Sequence, residues 1–113
     1  MSRPDAARFT LDDLIGLIEA RSLATSDRSY TRTLLDAGMP RIAKKFGEEA
    51  VEAVIAAVSG NKIELMAEVA DVIYHLLVML QAGGIHFDQV VEELGRRTRQ
   101  SGLEEKASRS KSG

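Results

Sequence analysis

Between Ile63 and Ala82 apolar residues fall on almost every face of a helix, yet Glu64, Glu68, Asp71 and His75 keep to one stripe. At about 100° per residue those four positions span roughly 60° of arc. No Lys or Arg occurs between Lys62 and Arg96, so the stripe has no basic partner nearby in sequence. Carboxylates held against apolar surroundings are costly unless a cation compensates them. The segment before it, Pro40 to Ser59, repeats the pattern: Lys45, Glu48, Glu49 and Glu52 share one arc, while Ile42, Ala43, Phe46, Ala50, Ala53, Val54, Ala57 and Val58 fill much of the rest. Only Gly60 and Asn61 join the two segments, which predicts an antiparallel helical hairpin with its acid strips facing each other.

The flanking elements are shorter. Thr10 with Asp13 has the form of a capping box and opens a helix from Leu11 to about Ala20. Ser22 to Arg28 reads as a loop, and a short helix from Tyr30 to Ala37 stops at Gly38, with Pro40 suited to the first turn of the next. Gly83 and Gly84 end the hairpin's second arm, and a last helix runs from about Phe87 to Arg97. No strand pattern or repeat is evident. The expectation is an all-α fold of about five helices, with a flexible extension over 1–8, one domain over 9–99 and a disordered tail over 100–113, whose Ser, Lys, Arg and Glu offer almost nothing to bury. The hairpin carries more apolar surface than its small neighbours can cover, which predicts a dimeric helix bundle.

Composition narrows the function. With 113 residues, 44% of them hydrophobic, no Trp and 4% aromatics, the core must be aliphatic. The absence of Cys excludes disulfides, thiolate catalysis and Cys-ligated zinc. A net charge of -2 argues against nucleic-acid binding. The acids inside Ile63 to Ala82 argue against a membrane span, and Met1 to Thr10 lack a signal-like apolar stretch. A cytoplasmic location is expected.

Acid runs on helices are usually solvated faces. Here, however, Glu49 with Glu52, and Glu68 with Asp71, are i, i+3 pairs that set two carboxylates one turn apart on each arm. Oxygen ligands from two facing helices suit a hard cation, Mg²⁺ or Mn²⁺. A carboxylate-bridged di-iron bundle would need Glu-x-x-His motifs, and neither His75 nor His86 follows a Glu by three residues.

The runs Ser29-Tyr30-Thr31, Lys44-Lys45-Phe46-Gly47-Glu48-Glu49-Ala50-Val51-Glu52 and Glu68 to Val78, with its Tyr74-His75-Leu76-Leu77, together resemble the phosphoribosyl-ATP pyrophosphohydrolases of histidine biosynthesis. The likeness covers roughly Phe9 to Arg99. The E-E-x-x-E and E-x-x-D elements are shared with the wider MazG-like all-α nucleoside triphosphate pyrophosphohydrolases. The resemblance implies Mg²⁺ at Glu49, Glu52, Glu68 and Asp71, with Glu48 as an accessory ligand or a holder of the attacking water. It implies cleavage of phosphoribosyl-ATP between the α and β phosphates, giving phosphoribosyl-AMP and pyrophosphate. Lys45 and Lys44 are candidate phosphate contacts, although Lys45 also suits an i, i+4 pair with Glu49 and Lys44 points about 100° away. His75 is a candidate substrate contact or a satisfied structural histidine. His86 stands where such enzymes more often have a small hydroxyl residue that caps the last helix. Two rival readings remain: a pyrophosphohydrolase for other nucleoside triphosphates, and a non-catalytic helical interaction module.

Overall fold

A computed structural model describes residues 8–23 and 29–112. The described residues form five helices, α1 (Leu11–Leu23), α2 (Tyr30–Ala37), α3 (Met39–Ser59), α4 (Lys62–Ala82) and α5 (Phe87–Ser112). The fold is all-α, with no strand among the described residues. The extension expected over 1–8 lies outside the described residues up to residue 7. Of the loop expected over Ser22 to Arg28, Ser22 and Leu23 belong instead to α1, and 24–28 lie outside the described residues.

Local chemistry sets the boundaries. Thr10 Oγ1 accepts the Asp13 N–H and Asp13 Oδ2 accepts the Thr10 N–H, both at 3.0 Å, so the capping box is reciprocal. Ser29 caps α2 by accepting the Arg32 N–H at 3.2 Å. Gly60 sits at φ 80° with its N–H on the Ala57 carbonyl, and Asn61 Oδ1 accepts the Glu64 N–H at 3.0 Å to start α4. One left-handed residue and one cap thus reverse the chain between two 21-residue helices.

α5 departs from expectation. It continues past the expected end near Arg97 to Ser112. Leu103, Glu104, Glu105, Lys106 and Ala107 are strong helix formers and no Pro interrupts them, so backbone propensity favours continuing the helix where composition suggested it would end.

The core lies at one end of the hairpin. Ile18 of α1, Leu34 of α2, Ile42 at the start of α3 and Leu77 and Val78 near the end of α4 form its buried cluster, with Leu14, Ile15, Leu35, Tyr74, Met79, Leu80 and Phe87 against it. Among the described residues the hairpin tip has no such cover. Val51, Val54, Ile55 and Val58 of α3 and Ile63 and Met66 of α4 are all more than half exposed. The radius of gyration is 18.5 Å, against about 13 Å for a compact chain of this size. Among the described residues no helix is long and apolar enough to cross a membrane.

Candidate metal centre

The hairpin brings the acids together by symmetry about its turn. Glu49 and Glu52 lie eleven and eight residues before Gly60; Glu68 and Asp71 lie eight and eleven after it. With the same rise of about 1.5 Å per residue on each arm, the pairs reach matching heights on neighbouring helices. One carboxylate oxygen from each of Glu49, Glu68 and Asp71 falls within 4.8 Å of the others. Glu52 stands at the border: it is exposed and lines, with Glu64, Glu68, Ile55, Ala56 and Ser59, a cleft of about 300 Å³ beside the three.

Glu68 shows what this convergence does electrostatically. Its Oε2 is shut off from solvent and has no hydrogen-bond partner among the described residues. Burial, then the charges of Glu52, Glu49, Asp71 and Glu64, hold its carboxyl above the ordinary carboxylate range. A sealed carboxylate oxygen facing further acids is unfavourable in isolation, and a hard divalent cation supplies both the missing partner and the charge. The donor set therefore fits Mg²⁺ or Mn²⁺.

The other candidates are distributed differently. Lys45 pairs with Glu48, one turn on, at 3.7 Å rather than with Glu49. Glu48, with Gly47, Val51 and Glu52, borders an open depression of about 460 Å³ along α3. Lys44 is exposed on another side. His75 is withdrawn from the strip it shares in sequence: it is 4% exposed. Its Nδ1 lies 2.7 Å from the Asp71 carbonyl oxygen and its Nε2 lies 3.3 Å from the Tyr30 hydroxyl. A carbonyl only accepts, so Nδ1 carries the proton; in the neutral ring Nε2 then accepts from Tyr30. These contacts are those of a satisfied structural histidine. Sequence reasoning missed Tyr30 as its partner, and no local signal points to a residue 45 positions away.

The sequence profile described as phosphoribosyl-ATP pyrophosphohydrolase matches residues 11–98. The chain belongs to the phosphoribosyl-ATP pyrophosphohydrolase family. Among its relatives in that family, phosphoribosyl-ATP pyrophosphatase 1 of Bradyrhizobium diazoefficiens is 58% identical over 102 residues, which are 90% of this chain and 96% of the relative. The phosphoribosyl-ATP pyrophosphatases of Azorhizobium caulinodans and Methylobacterium nodulans are 53% and 55% identical, over 93% and 89% of this chain and 96% and 94% of theirs. The family match contains α3 and α4 entire, and with them the three converging carboxylates.

Proposed function

We propose that this chain hydrolyses phosphoribosyl-ATP to phosphoribosyl-AMP and pyrophosphate, the second step of histidine biosynthesis, with Mg²⁺ as cofactor and Mn²⁺ as a substitute. The observation that carries the reading is the meeting of Glu49, Glu68 and Asp71 across the hairpin. These three, with Glu52 beside them, would hold the metal, and Glu48 would hold the attacking water or serve as an accessory ligand. When bound, the cation neutralises phosphate charge and makes water a better nucleophile.

The chain's own residues account for the rest. The acid strip repels a polyphosphate in the absence of a cation, so anionic substrate is admitted only to the loaded site. Lys45 exchanges its Glu48 contact for a phosphate oxygen, and Lys44, exposed nearby in sequence, adds positive charge at the entrance. A covalent nucleophile is not required, since phosphoryl chemistry of this kind rests on positioning and charge stabilisation. The enzyme acts in the cytoplasm as a homodimer, with the bare tip of each hairpin packed on its partner.

The test is an assay of phosphoribosyl-ATP cleavage with Mg²⁺ and with chelator, beside the ordinary dNTPs. Metal-dependent release of pyrophosphate from phosphoribosyl-ATP in strong preference to dNTPs is expected. Equal turnover of dNTPs would move the chain to the general nucleotide pyrophosphohydrolases, and no turnover together with no Mg²⁺ binding would leave an interaction module.

A further inference from the structure

The buried polar side chains of the described residues gather at one place, which adjoins the acid site through the Asp71 carbonyl. Thr31 and His75 are 1% and 4% exposed and are the buried polar residues among those described. Each is joined across the α2–α4 contact to one of the chain's two tyrosines: Thr31 Oγ1 to the Tyr74 hydroxyl, and His75 Nε2 to the Tyr30 hydroxyl. The tyrosine rings are stacked with centroids 6.1 Å apart, and the His75 ring meets both edge-on, at 5.1 Å from Tyr74 and 6.0 Å from Tyr30. Burial holds the Tyr74 phenol above its ordinary value, against the opposing Thr31 hydrogen bond, so it remains a neutral hydrogen-bonding group.

Such a network is a poor way to gain stability alone. Replacing both partners of a buried hydrogen bond by apolar groups of the same shape is often close to neutral, whereas a fully satisfied network fixes geometry. The two links differ in where they lead. Thr31–Tyr74 ends between the helices. Tyr30–His75 continues through Nδ1 to the carbonyl of Asp71, a member of the converging set. A helical side chain leans back over the preceding turn, so the His75 ring occupies the flank of the Asp71 turn, and Tyr30 locks the ring there from α2.

We infer that Tyr30 and His75 are positioning residues for the metal centre, holding the α4 turn that carries Glu68 and Asp71 in the register that meets Glu49. The inference rests on the metal reading above. Tyr30 thereby makes α2 part of the site without touching the cation, in the manner of the outer partners that orient metal ligands and typically carry ten- to a hundred-fold in affinity.

The experiment is Mn²⁺ titration of the metal-free protein by calorimetry, with metal-free melting temperature measured beside it. Tyr30→Phe removes one hydroxyl and should weaken Mn²⁺ binding about ten-fold. His75→Gln keeps an amide toward Tyr30 but loses the donor to Asp71, and should weaken it similarly; it also stands in for Tyr30→Phe should that variant lose helicity. Tyr74→Phe breaks the other link of the same network, and should lower the melting temperature while changing Mn²⁺ affinity less than about two-fold, well short of the range for outer partners. Equal weakening by Tyr30→Phe and Tyr74→Phe, or undiminished affinity in both Tyr30→Phe and His75→Gln, would overturn the inference and leave a purely structural network. Glu49→Gln separates this from the reading beneath it: if wild type and Glu49→Gln bind Mn²⁺ alike, the metal assignment itself falls and takes the inference with it.

Discussion

Exchanging a carboxylate for its amide keeps the shape and removes the charge, and at Glu68 the two consequences separate. Glu68→Gln should abolish turnover, by more than the roughly hundred-fold that even outer partners of a metal site carry. Yet the metal-free protein should melt higher, because a sealed, repelled charge has been removed. Pyrophosphate release and thermal circular dichroism in chelator read the two effects independently; loss of helicity along with activity would point to a structural role instead. His86 offers a second case. Its Nδ1 accepts the Asp88 N–H at 3.2 Å, while Gln89 Oε1 accepts the His86 N–H at 2.8 Å. The imidazole thus does what a small hydroxyl side chain does at a helix start, which resolves the departure seen in the sequence. His86→Ala should lower stability by about 1 kcal/mol and His86→Asn by much less, as measured by urea unfolding.

The hairpin was legible from sequence because its information is local: a 3.6-residue period, a two-residue turn, and acids spaced evenly about Gly60. The ends of α1 and α5 were less so, since polar residues that can leave a helix can equally continue one. The partners of Lys45 and His75 were not legible at all. Lys45 had two acids within a turn, and rotamer preference decides between them; His75 depends on α2, whose approach is set by packing of Leu34 and Ile18 rather than by any pattern near His75. The even spacing about Gly60 carries its own prediction. One residue inserted between Glu52 and Gly60 turns Glu49 and Glu52 by about 100° relative to Glu68 and Asp71. Such an insertion should abolish Mg²⁺ binding, whereas single substitutions at exposed Val54 or Val58 should leave binding in place; calorimetry with Mg²⁺ distinguishes them.

For the whole molecule, the exposed tip favours self-association and the acid cluster favours a bound cation. Light scattering at micromolar protein should report a dimer, and truncation after Gln100 should leave assembly and catalysis unchanged; a stable monomer would contradict the proposed packing. Stability should also depend on pH with a definite sign. Glu68 has its folded pKa raised, so the native state binds more protons than the unfolded chain from the ordinary carboxylate range up to that raised value. Its contribution is complete below the unfolded value and is lost as pH rises through the folded one. Glu93, held down to about 2 by Arg96 and Arg97, acts oppositely, its contribution vanishing as pH falls from the ordinary range toward that value. A cation bound at the proposed site should reverse the Glu68 loss: at about a hundred times its dissociation constant it would add roughly 2.7 kcal/mol. Melts with chelator and with Mg²⁺ should show a larger Mg²⁺-induced rise at about pH 8 than at about pH 5, absent in Glu68→Gln.

The placing of Tyr30 and Tyr74 has an optical consequence. The chain contains no Trp and only these two tyrosines, stacked on each other behind Asp71. Its near-ultraviolet absorption and emission therefore come chiefly from one spot, against the back of the site. Unlabelled protein carries a built-in reporter there, so that a change in tyrosine emission on loading or turnover speaks for the α2–α4 contact and for little else in the molecule.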